Sequence, residues 1–231
     1  MISIIIPVFI EAVFIEATLQ HLQDLNEYSV EIIVVDDGST DETVAIASKY
    51  AKIIHSGKGK GLQLNTAAKE AAGEILFFVH ADMVVPVGAL AAIHKHILID
   101  GFDGGAFINI FSDYNNRIKS LGRIMNLRIR KREQPDRCIF YGDNGIFVRK
   151  RVFYQLKGFK EIPIMEDYDF SVRMKKSFKV GVIKEPKLIL HPRRHVKDGF
   201  IRTRMKWILI KKLYLLGISP QKLAKWYGDI R

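Results

Sequence analysis

Short apolar runs alternate with stretches of helical periodicity through the first hundred residues of the chain. The apolar runs cover residues 2–7, 31–36, 53–54 and 75–79. Helical patterns occupy residues 11–25, 40–50 and 62–72, and the last stops at Gly73, a residue type that commonly ends helices. Short apolar strands that alternate with helices are typical of a parallel sheet covered by helices on both faces. We therefore predict an α/β fold with a mostly parallel sheet.

The second half of the chain has a less regular pattern. Strand-like runs occupy residues 106–111 and 139–148, the latter interrupted by the turn Gly142-Asp143-Asn144-Gly145, and shorter ones occupy 180–183 and 188–190. Helical patterns occupy residues 115–132, 165–176 and the tail from Gly199, with a break near 217–220. The second half therefore adds a small antiparallel part and basic C-terminal helices to the predicted sheet.

Length and composition favour one soluble domain covering residues 1–231. A chain of 231 residues that is 48% hydrophobic and 26% charged can bury one sizeable core, and no linker or repeat divides it. The single Cys138 excludes an intramolecular disulfide and fits a reducing compartment. No apolar stretch approaches the roughly 20 residues that span a bilayer. We expect a cytoplasmic protein.

The positive charge of the chain is concentrated in two segments. The net charge is +11, residues 117–137 hold eight Lys/Arg against two acids, and residues 191–231 hold eleven against two. A local positive surface indicates an anionic partner: a membrane surface, a diphosphate or nucleic acid. A basic face that only aids solubility is the alternative.

Carboxylates follow the predicted strands. Asp36 and Asp37 end the second apolar run, and His80-Ala81-Asp82 follows the run at residues 75–79. In open α/β sheets, ligands bind beyond the carboxyl ends of the strands. We therefore expect these side chains to share one site.

The chain resembles the family 2 glycosyltransferases, nucleotide-sugar enzymes of the GT-A fold. The resemblance rests on residues 3–8, 34–43, 59–65, 72–74, 80–82 and 166–167, which together extend over roughly residues 1–190. Within the family, the chain is most similar to the radical-SAM/selenodomain-associated transferases, through His80-Ala81-Asp82, Gly142-Asp143-Asn144 and Arg193-Arg194. The resemblance implies a nucleotide-binding half at residues 1–100, an acceptor half at 101–190 and a basic tail at 191–231.

The resemblance also implies where a nucleotide-sugar donor, most readily a UDP-sugar, would bind. Base and ribose recognition falls to Asp36 and Asp37, with a purely local turn role as the alternative. The other residues implied in the nucleotide pocket are Pro7, Val8, Glu11, Lys60, Asp82, Arg193 and Arg194. The family usually has Asn before Glu11, whereas this chain has Ile10. Lys60 belongs to a Gly-Lys loop that resembles a phosphate cradle, and the arginine pair could contact either the diphosphate or lipid headgroups.

A divalent cation is the implied cofactor. Asp82 is the expected ligand of Mg²⁺ or Mn²⁺, which prefer carboxylate oxygens. His80 stands where the family more often has Asp, and we expect it to pack under the sheet as a structural residue. His191 is a second, weaker candidate ligand.

Glu166-Asp167 resembles the acceptor-site pair of the family. Inverting transfer needs a base within hydrogen-bond reach of the attacking hydroxyl. We expect Asp167 to be that base and Glu166 to orient the acceptor, while the alternative is that both acids only complement a helix N-terminus.

The predicted function is therefore an inverting, metal-dependent glycosyltransferase acting on a glycan, lipid or small-molecule acceptor. A sugar-nucleotide nucleotidyltransferase is one alternative, and a basic membrane- or nucleic-acid-binding module without catalysis is another, although nucleic acid is not expected. The tail could lie on the inner face of a membrane as an amphipathic helix, pack on the body of the protein, or form a homodimer contact.

Overall fold

The computed structural model describes residues 1–25, 28–112, 139–193 and 199–227. Eight strands form one mixed sheet in the order β3-β2-β1-β4-β7-β6-β8-β5. The strands are β1 (Ile2–Val8), β2 (Val30–Asp36), β3 (Lys52–His55), β4 (Ile75–Phe78), β5 (Met83–Val84), β6 (Gly104–Phe111), β7 (Phe147–Arg149) and β8 (Val180–Leu190). The predicted basic helix at residues 115–132 lies outside the described residues, as does Arg194.

The first four strands run parallel to one another. β1 pairs in parallel with β2 and β4, and β2 pairs in parallel with β3. β7 then runs antiparallel between β4 and β6, and β5 runs antiparallel to β8. The predicted mostly parallel sheet with a small antiparallel addition is therefore confirmed.

β8 replaces two predicted strands. Residues 180–183 and 188–190 belong to one strand that pairs in parallel with β6, with a register shift between Phe107 and Asn109. The polar residues between the two apolar stretches fall at this irregularity, which explains why the sequence pattern divides there.

Eight α-helices accompany the sheet in the described ranges. They are α1 (Ala12–Asp24), α2 (Thr43–Ala47), α3 (Lys60–Glu70), α4 (Ala89–His94), α5 (Lys150–Gln155), α6 (Glu166–Ser177), α7 (Phe200–Leu215) and α8 (Pro220–Tyr227). A π-helical turn, Lys95–Ile99, continues α4, and a 3₁₀ turn covers Gly142–Asn144. The sequence pattern did not identify α4 and α5. In the described ranges, no helix combines the length and apolar character needed to cross a membrane.

The helices lie on both faces of the sheet and enclose two apolar cores. Alternate residues of β1 point to opposite faces, so that Ile4 and Ile6 pack with Leu19 of α1 while Ile5 packs with Leu64 of α3. Because both faces of β1 are buried, the strand is apolar along almost its whole length, as is typical of a central parallel strand.

A third apolar cluster joins the C-terminal helices to the body of the protein. Ile210 of α7 and Leu223 of α8 pack with Ile164, Met165 and Tyr168, which surround the start of α6. The tail is therefore packed on the body through one of its faces.

Candidate active site

Because β1, β2 and β4 are parallel neighbours, their carboxyl ends lie along one edge of the sheet. The loop after β1 carries Glu11, β2 ends at Asp36, and His80 and Asp82 follow β4. This is the edge at which the sequence predicted a shared site.

The carboxylate of Asp36 organises the turn after β2. Its oxygens accept hydrogen bonds from the backbone N–H groups of Gly38 at 3.0 Å and Ser39 at 3.1 Å, and the His55 Nδ1 atom lies 3.7 Å away. Asp37 is also buried, and its Oδ2 accepts the backbone N–H of Gly59 at 3.4 Å. Asp36 therefore performs the local turn role, and Asp37 joins this turn to the Gly-Lys loop.

Pro7 and Val8 differ in what they present to the site. Pro7 lines a pocket at the sheet edge, whereas the side chain of Val8 is buried in the core. The carbonyl of Val8 accepts a hydrogen bond from Gln63 Nε2 at 2.9 Å, and the same amide donates to the Val35 carbonyl at 3.1 Å. Gln63 was missed in the sequence, where a buried polar residue within the helical pattern was the only signal.

The loop after β1 contains a strained residue. Ile10 has a φ of +56°, and its backbone N–H donates to Ser39 Oγ at 2.9 Å. A β-branched residue is rarely found in this left-handed region, which Asn tolerates much better. Ile10 is the position at which this chain departs from the sequence usual in the family it resembles.

Lys60 connects the Gly-Lys loop to the acidic residues of α6. It is the first residue of α3, its Nζ lies 3.1 Å from His80 Nε2, and the same ammonium lies 3.9 Å from Glu166 Oε1. Because an ammonium group only donates, Nε2 is the acceptor in this contact. The prediction that His80 packs under the sheet is wrong: it is only partly buried and lines the pocket beside Lys60.

The Asp167 carboxylate is held by two backbone groups. The Gly142 N–H donates to Oδ2 at 2.7 Å, and the Tyr168 N–H donates to Oδ1 at 2.6 Å. A Cβ on Gly142 would lie 2.8 Å from Lys60 Nζ and 2.9 Å from His80 Nε2. A side chain at position 142 would therefore displace the Lys60 ammonium or the His80 ring, so glycine lets both groups approach the turn that holds Asp167.

Glu166 is buried beside Asp167 and has an unusual pKa. Burial, and secondarily the negative charge of Asp167, raises the pKa of Glu166 from 4.5 to about 7, although Lys60 acts in the opposite direction. The preceding residue, Met165, is buried with a left-handed φ of +72°. Buried acids with shifted pKa values and strained backbone are both concentrated at functional sites.

Arg193 binds the carboxylates of both Glu11 and Asp82. Its Nη1 and Nη2 atoms donate to the two oxygens of Glu11 at 2.6 and 2.7 Å, and its Nε lies 2.8 Å from Asp82 Oδ2. The guanidinium also lies over the ring of Phe14, 5.0 Å from its centroid. One side chain thus joins the loops after β1, β4 and β8.

The predicted metal ligands are not arranged as a metal site. The His191 backbone N–H donates to the Asp82 carbonyl at 3.2 Å, and its ring packs on Phe14 with centroids 5.0 Å apart. Within the described ranges, no three His, Cys, Asp or Glu side chains are grouped so as to hold a cation. Glu11 and Asp82 have the right donor atoms for Mg²⁺ or Mn²⁺, but both carboxylates are bound to Arg193. The described residues therefore do not fit a preformed metal centre.

The sequence profile of Glycosyl transferase family 2 matches residues 3–157, more than half of the chain. The chain belongs to this family. The match includes β1, β2 and β4, whose carboxyl ends carry Glu11, Asp36 and Asp82.

Curated relatives of this family 2 chain include enzymes that act on poly(ribitol-phosphate). It is 34% identical over 90 residues to the poly(ribitol-phosphate) β-N-acetylglucosaminyltransferase TarS of Staphylococcus aureus, covering 35% of this chain and 16% of TarS. It is 26% identical over 225 residues to the poly(ribitol-phosphate) β-glucosyltransferase of Bacillus spizizenii, covering 92% of this chain and 30% of the relative. The chain therefore spans less than a third of the length of either relative.

Solved structures of similar fold include glycosyltransferases with bound donors. S. aureus TarS 1–349 in complex with UDP-GlcNAc gives a TM-score of 0.64 at 21% identity, covering 82% of this chain and 58% of that one. Mannosyltransferase PcManGT from Pyrobaculum calidifontis, in complex with GDP-Man and Mn²⁺, gives 0.69 at 20% identity, covering 96% and 67%. The family 2 chain has the same fold as these transferases, and the predicted GT-A-type architecture is confirmed.

Proposed function

We propose that this chain transfers a sugar from a nucleotide-sugar donor to an acceptor hydroxyl with inversion at the anomeric carbon. The observation that carries the proposal is the grouping of Lys60, His80 and Asp167 around the Gly142 turn at the carboxyl edge of the sheet. A cationic group suited to phosphate and a carboxylate suited to accept a proton thus lie on either side of Gly142.

The donor would bind with its diphosphate towards Lys60. The ammonium of Lys60 is partly exposed, and Arg193 would add a second cation by exchanging its contacts with Glu11 and Asp82 for phosphate oxygens. TarS and PcManGT were crystallised with UDP-GlcNAc and GDP-Man, which supports a nucleotide sugar as the donor class. We retain a UDP-sugar as the first donor to test.

In the transfer step, the acceptor oxygen attacks the anomeric carbon while the bond from that carbon to the diphosphate oxygen breaks. The electron pair of the broken bond leaves on the nucleoside diphosphate, and the proton of the acceptor hydroxyl passes to the Asp167 carboxylate. Lys60 stabilises the negative charge that develops on the leaving phosphate. Fixed by the Gly142 and Tyr168 N–H groups, Asp167 needs no rearrangement to act as this base.

We derive no catalytic step through a metal, because Glu11 and Asp82 are both bound to Arg193. The finer assignment to the radical-SAM/selenodomain-associated branch rests on His80-Ala81-Asp82, the Gly142-Asp143-Asn144 turn and the Arg193-Arg194 pair. The turn fits this proposal because its first residue contacts Asp167.

The nucleotidyltransferase alternative is less well supported. Such an enzyme would use a Gly-rich loop with Arg or Lys directly after the first strand, but the loop after β1 contains Phe9, Ile10 and Glu11. Instead, the glycines and lysines lie in the loop before α3.

Substitution of the proposed base tests the function. We expect Asp167→Asn to reduce sugar transfer by at least about a hundredfold, the usual contribution of a general base, while donor binding measured by calorimetry stays within a few-fold of wild type. Asp24→Asn, at the exposed end of α1, is the matched control. Transfer that survives in Asp167→Asn would exclude this residue as the base, and no turnover of any nucleotide sugar by the wild type would overturn the function.

A further inference from the structure

Helix α7 carries apolar side chains on two opposite faces. At about 100° per residue, the inward face spans roughly 120° of the helix; it consists of Thr203, Trp207, Ile210, Leu213 and Tyr214. The outward face, roughly 160–180° away, consists of Ile201, Met205, Ile208, Leu209, Leu215 and the following Leu216. The inward face is packed on the body of the protein, so the outward face is not required for that packing.

The outward face is exposed. Its side chains have exposed fractions between 40% for Ile208 and 79% for Leu216. The outward face continues onto α8 as one apolar stripe. On α8, Trp226 is 67% exposed and lines an open cleft with Leu216 and Ile218. A contiguous apolar surface of this kind on the outside of a folded chain marks an interaction site.

Positive charge surrounds the stripe. The segment 199–227 contains no Asp or Glu and seven basic residues, namely Arg202, Arg204, Lys206, Lys211, Lys212, Lys222 and Lys225. On α7, Arg202 and Lys206 border one side of the stripe and Arg204 and Lys211 the other, while Lys222 and Lys225 line the cleft beside Trp226. Lys212 lies within the stripe, where its long stem can extend past apolar groups towards a headgroup.

We propose that the outward face of α7, together with Trp226, docks on an anionic lipid surface. Helices that lie in a bilayer interface combine an apolar face with flanking Lys and Arg, and Trp is favoured at the same depth. Headgroup phosphates supply the charge complementary to the exposed Arg202, Lys212, Lys222 and Lys225, and the acyl boundary accepts the exposed leucines.

Two other occupants fit this surface less well. A second copy of the chain, packed by twofold symmetry, would bring two identical basic faces without a single acid against each other. Nucleic acid would match the charge but would leave the exposed Leu209, Leu215 and Leu216 in water.

The helix that carries the docking surface packs, through its inward face, on the element that carries Asp167. Tyr214, on the inward face of α7, packs edge-on against Tyr168 with ring centroids 5.9 Å apart, and Tyr168 follows Asp167 in α6. The lipid-binding inference does not depend on the proposed transferase activity, because it rests on the surface of α7 and α8 alone.

Vesicle binding tests the proposal without any substrate. We expect the protein to sediment with vesicles of an equal mixture of phosphatidylcholine and phosphatidylglycerol in about 0.15 M salt, and much less with phosphatidylcholine alone. The triple variant Met205→Ser, Leu209→Ser, Leu216→Ser should weaken this binding by at least about tenfold, because it removes apolar area that enters the interface. Its thermal unfolding should match that of the wild type, since all three side chains are exposed.

The matched control is Val87→Ser, Ile99→Ser, which removes side chains that are 74% and 71% exposed elsewhere on the surface. It should bind vesicles as the wild type does. The wild type should also show a blue shift of tryptophan fluorescence on anionic vesicles, and Trp226→Phe should remove most of it. Equal binding by the triple variant, or no binding by the wild type, would overturn the proposal. A dimer in light scattering that the triple variant dissolves, without vesicle binding, would instead assign this face to a second copy.

Discussion

Arg193 determines the arrangement of the acidic groups after β1 and β4. It contacts Glu11, which is 182 positions away in the sequence, through two hydrogen bonds and also pairs with Asp82. A bidentate pair of this kind is stronger than a simple ion pair because two parallel N–H groups match the two carboxylate oxygens. Any cation that binds Asp82 must therefore compete with this guanidinium.

We expect Arg193→Gln to raise the affinity of the donor-free protein for Mn²⁺ by about tenfold or more, because a charge-assisted contact no longer has to be broken. Electron paramagnetic resonance of free Mn²⁺ measures this binding without reference to activity. Arg151→Gln removes an arginine that pairs with Asp103 away from the site, and it should leave Mn²⁺ binding unchanged. Equal affinity in the two variants would show that Arg193 does not block Asp82.

The strain at Ile10 predicts a stabilising substitution. Ile10→Asn should raise the free energy of unfolding by about 1 kcal/mol, because Asn accepts the left-handed backbone conformation that Ile10 is forced to adopt. Chemical denaturation measures the change. Val13→Asn places the same side chain at an 85% exposed helix position nearby and should not stabilise the protein. Because Ile10 is itself 49% exposed, Ile10→Asn without any gain would show that the left-handed conformation at this position costs the fold little.

Single residues were predictable where a motif carried them. Asp82 and Asp167 were singled out by their neighbours in sequence; Asp82 follows β4 at the expected edge of the sheet, and Asp167 lies in the first turn of α6. The contact of His80 with Lys60 could not be read from the sequence, since it depends on how closely the Gly142 turn approaches both side chains. The buried amide of Gln63 was missed because its partners, the carbonyls of Val8 and Val35, lie in two strands far from it in sequence.

At the scale of elements, the start of α6 places two neighbouring acids in different surroundings. Asp167 accepts backbone hydrogen bonds at the pocket, whereas Glu166 is buried with the Lys60 ammonium 3.9 Å away. A buried acid whose pKa is about 7 is partly ionised at neutral pH and costs stability in its charged form. This part of α6 is therefore built at some expense to the fold.

Glu166→Gln should be more stable than the wild type, by an amount that grows with pH. Folding raises the pKa of Glu166 from 4.5 to about 7. The contribution of the protonated Glu166 to the free energy of unfolding is therefore present at low pH and is lost as the pH rises through 7. The stability difference should increase by about 2 kcal/mol between pH 5 and pH 8, as measured by urea unfolding. Glu161→Gln, at an exposed site, should show no such trend. A constant difference would mean that Glu166 titrates alike in both states.

Elements with strong periodicity were predicted correctly, and short ones were not. β1, β2 and β4 appear where continuous apolar runs indicated buried strands. α4 and α5 are only six residues long, too short to display a helical repeat. α3 starts at Lys60 rather than at residue 62, because Gly59, with a φ of +122°, ends the loop immediately before it.

At the scale of the whole molecule, the two cores follow from the continuous apolar runs of β1, β2 and β4, whose successive side chains face opposite sides of the sheet. The pairing of the later strands could not be derived in this way. β7 is inserted between β4 and β6 although it is far from both in sequence, and such long-range pairings leave no local pattern. Helix α7 does not show the one-sided apolar pattern of an amphipathic helix, because it carries apolar side chains on two opposite faces.

The fold should lose stability in mild acid because of His96. Burial lowers the pKa of His96 from 6.5 to about 4; its ring stacks on Phe102 at 4.0 Å, and its Nε2 finds no hydrogen-bond partner among the described residues. As the pH falls, His96 is protonated in the unfolded chain before it is protonated in the folded one. The contribution of neutral His96 to the stability of the fold is therefore present above pH 6.5 and is lost as the pH falls towards 4.

We expect His96→Phe to remove about 2 kcal/mol of the loss of stability seen between pH 7.5 and pH 5, measured from the free energy of unfolding at each pH. His55→Gln changes a largely exposed imidazole and is the control. The comparison uses the slope with pH, so a fixed packing cost of phenylalanine does not affect it. An identical slope in His96→Phe and wild type would contradict the burial of a neutral imidazole.

The exposed stripe on α7 also bears on how crystals of this protein should be interpreted. In a lipid-free crystal, packing would favour contacts that cover Met205, Leu209 and Leu216, since these contacts remove apolar area from water. A twofold lattice contact through α7 would therefore be expected whether or not the chain is a dimer in solution. Such a contact would reflect the burial of apolar surface rather than the oligomeric state of the protein. Crystals grown in a lipid mesophase would show whether α7 makes the same contact when lipid is present.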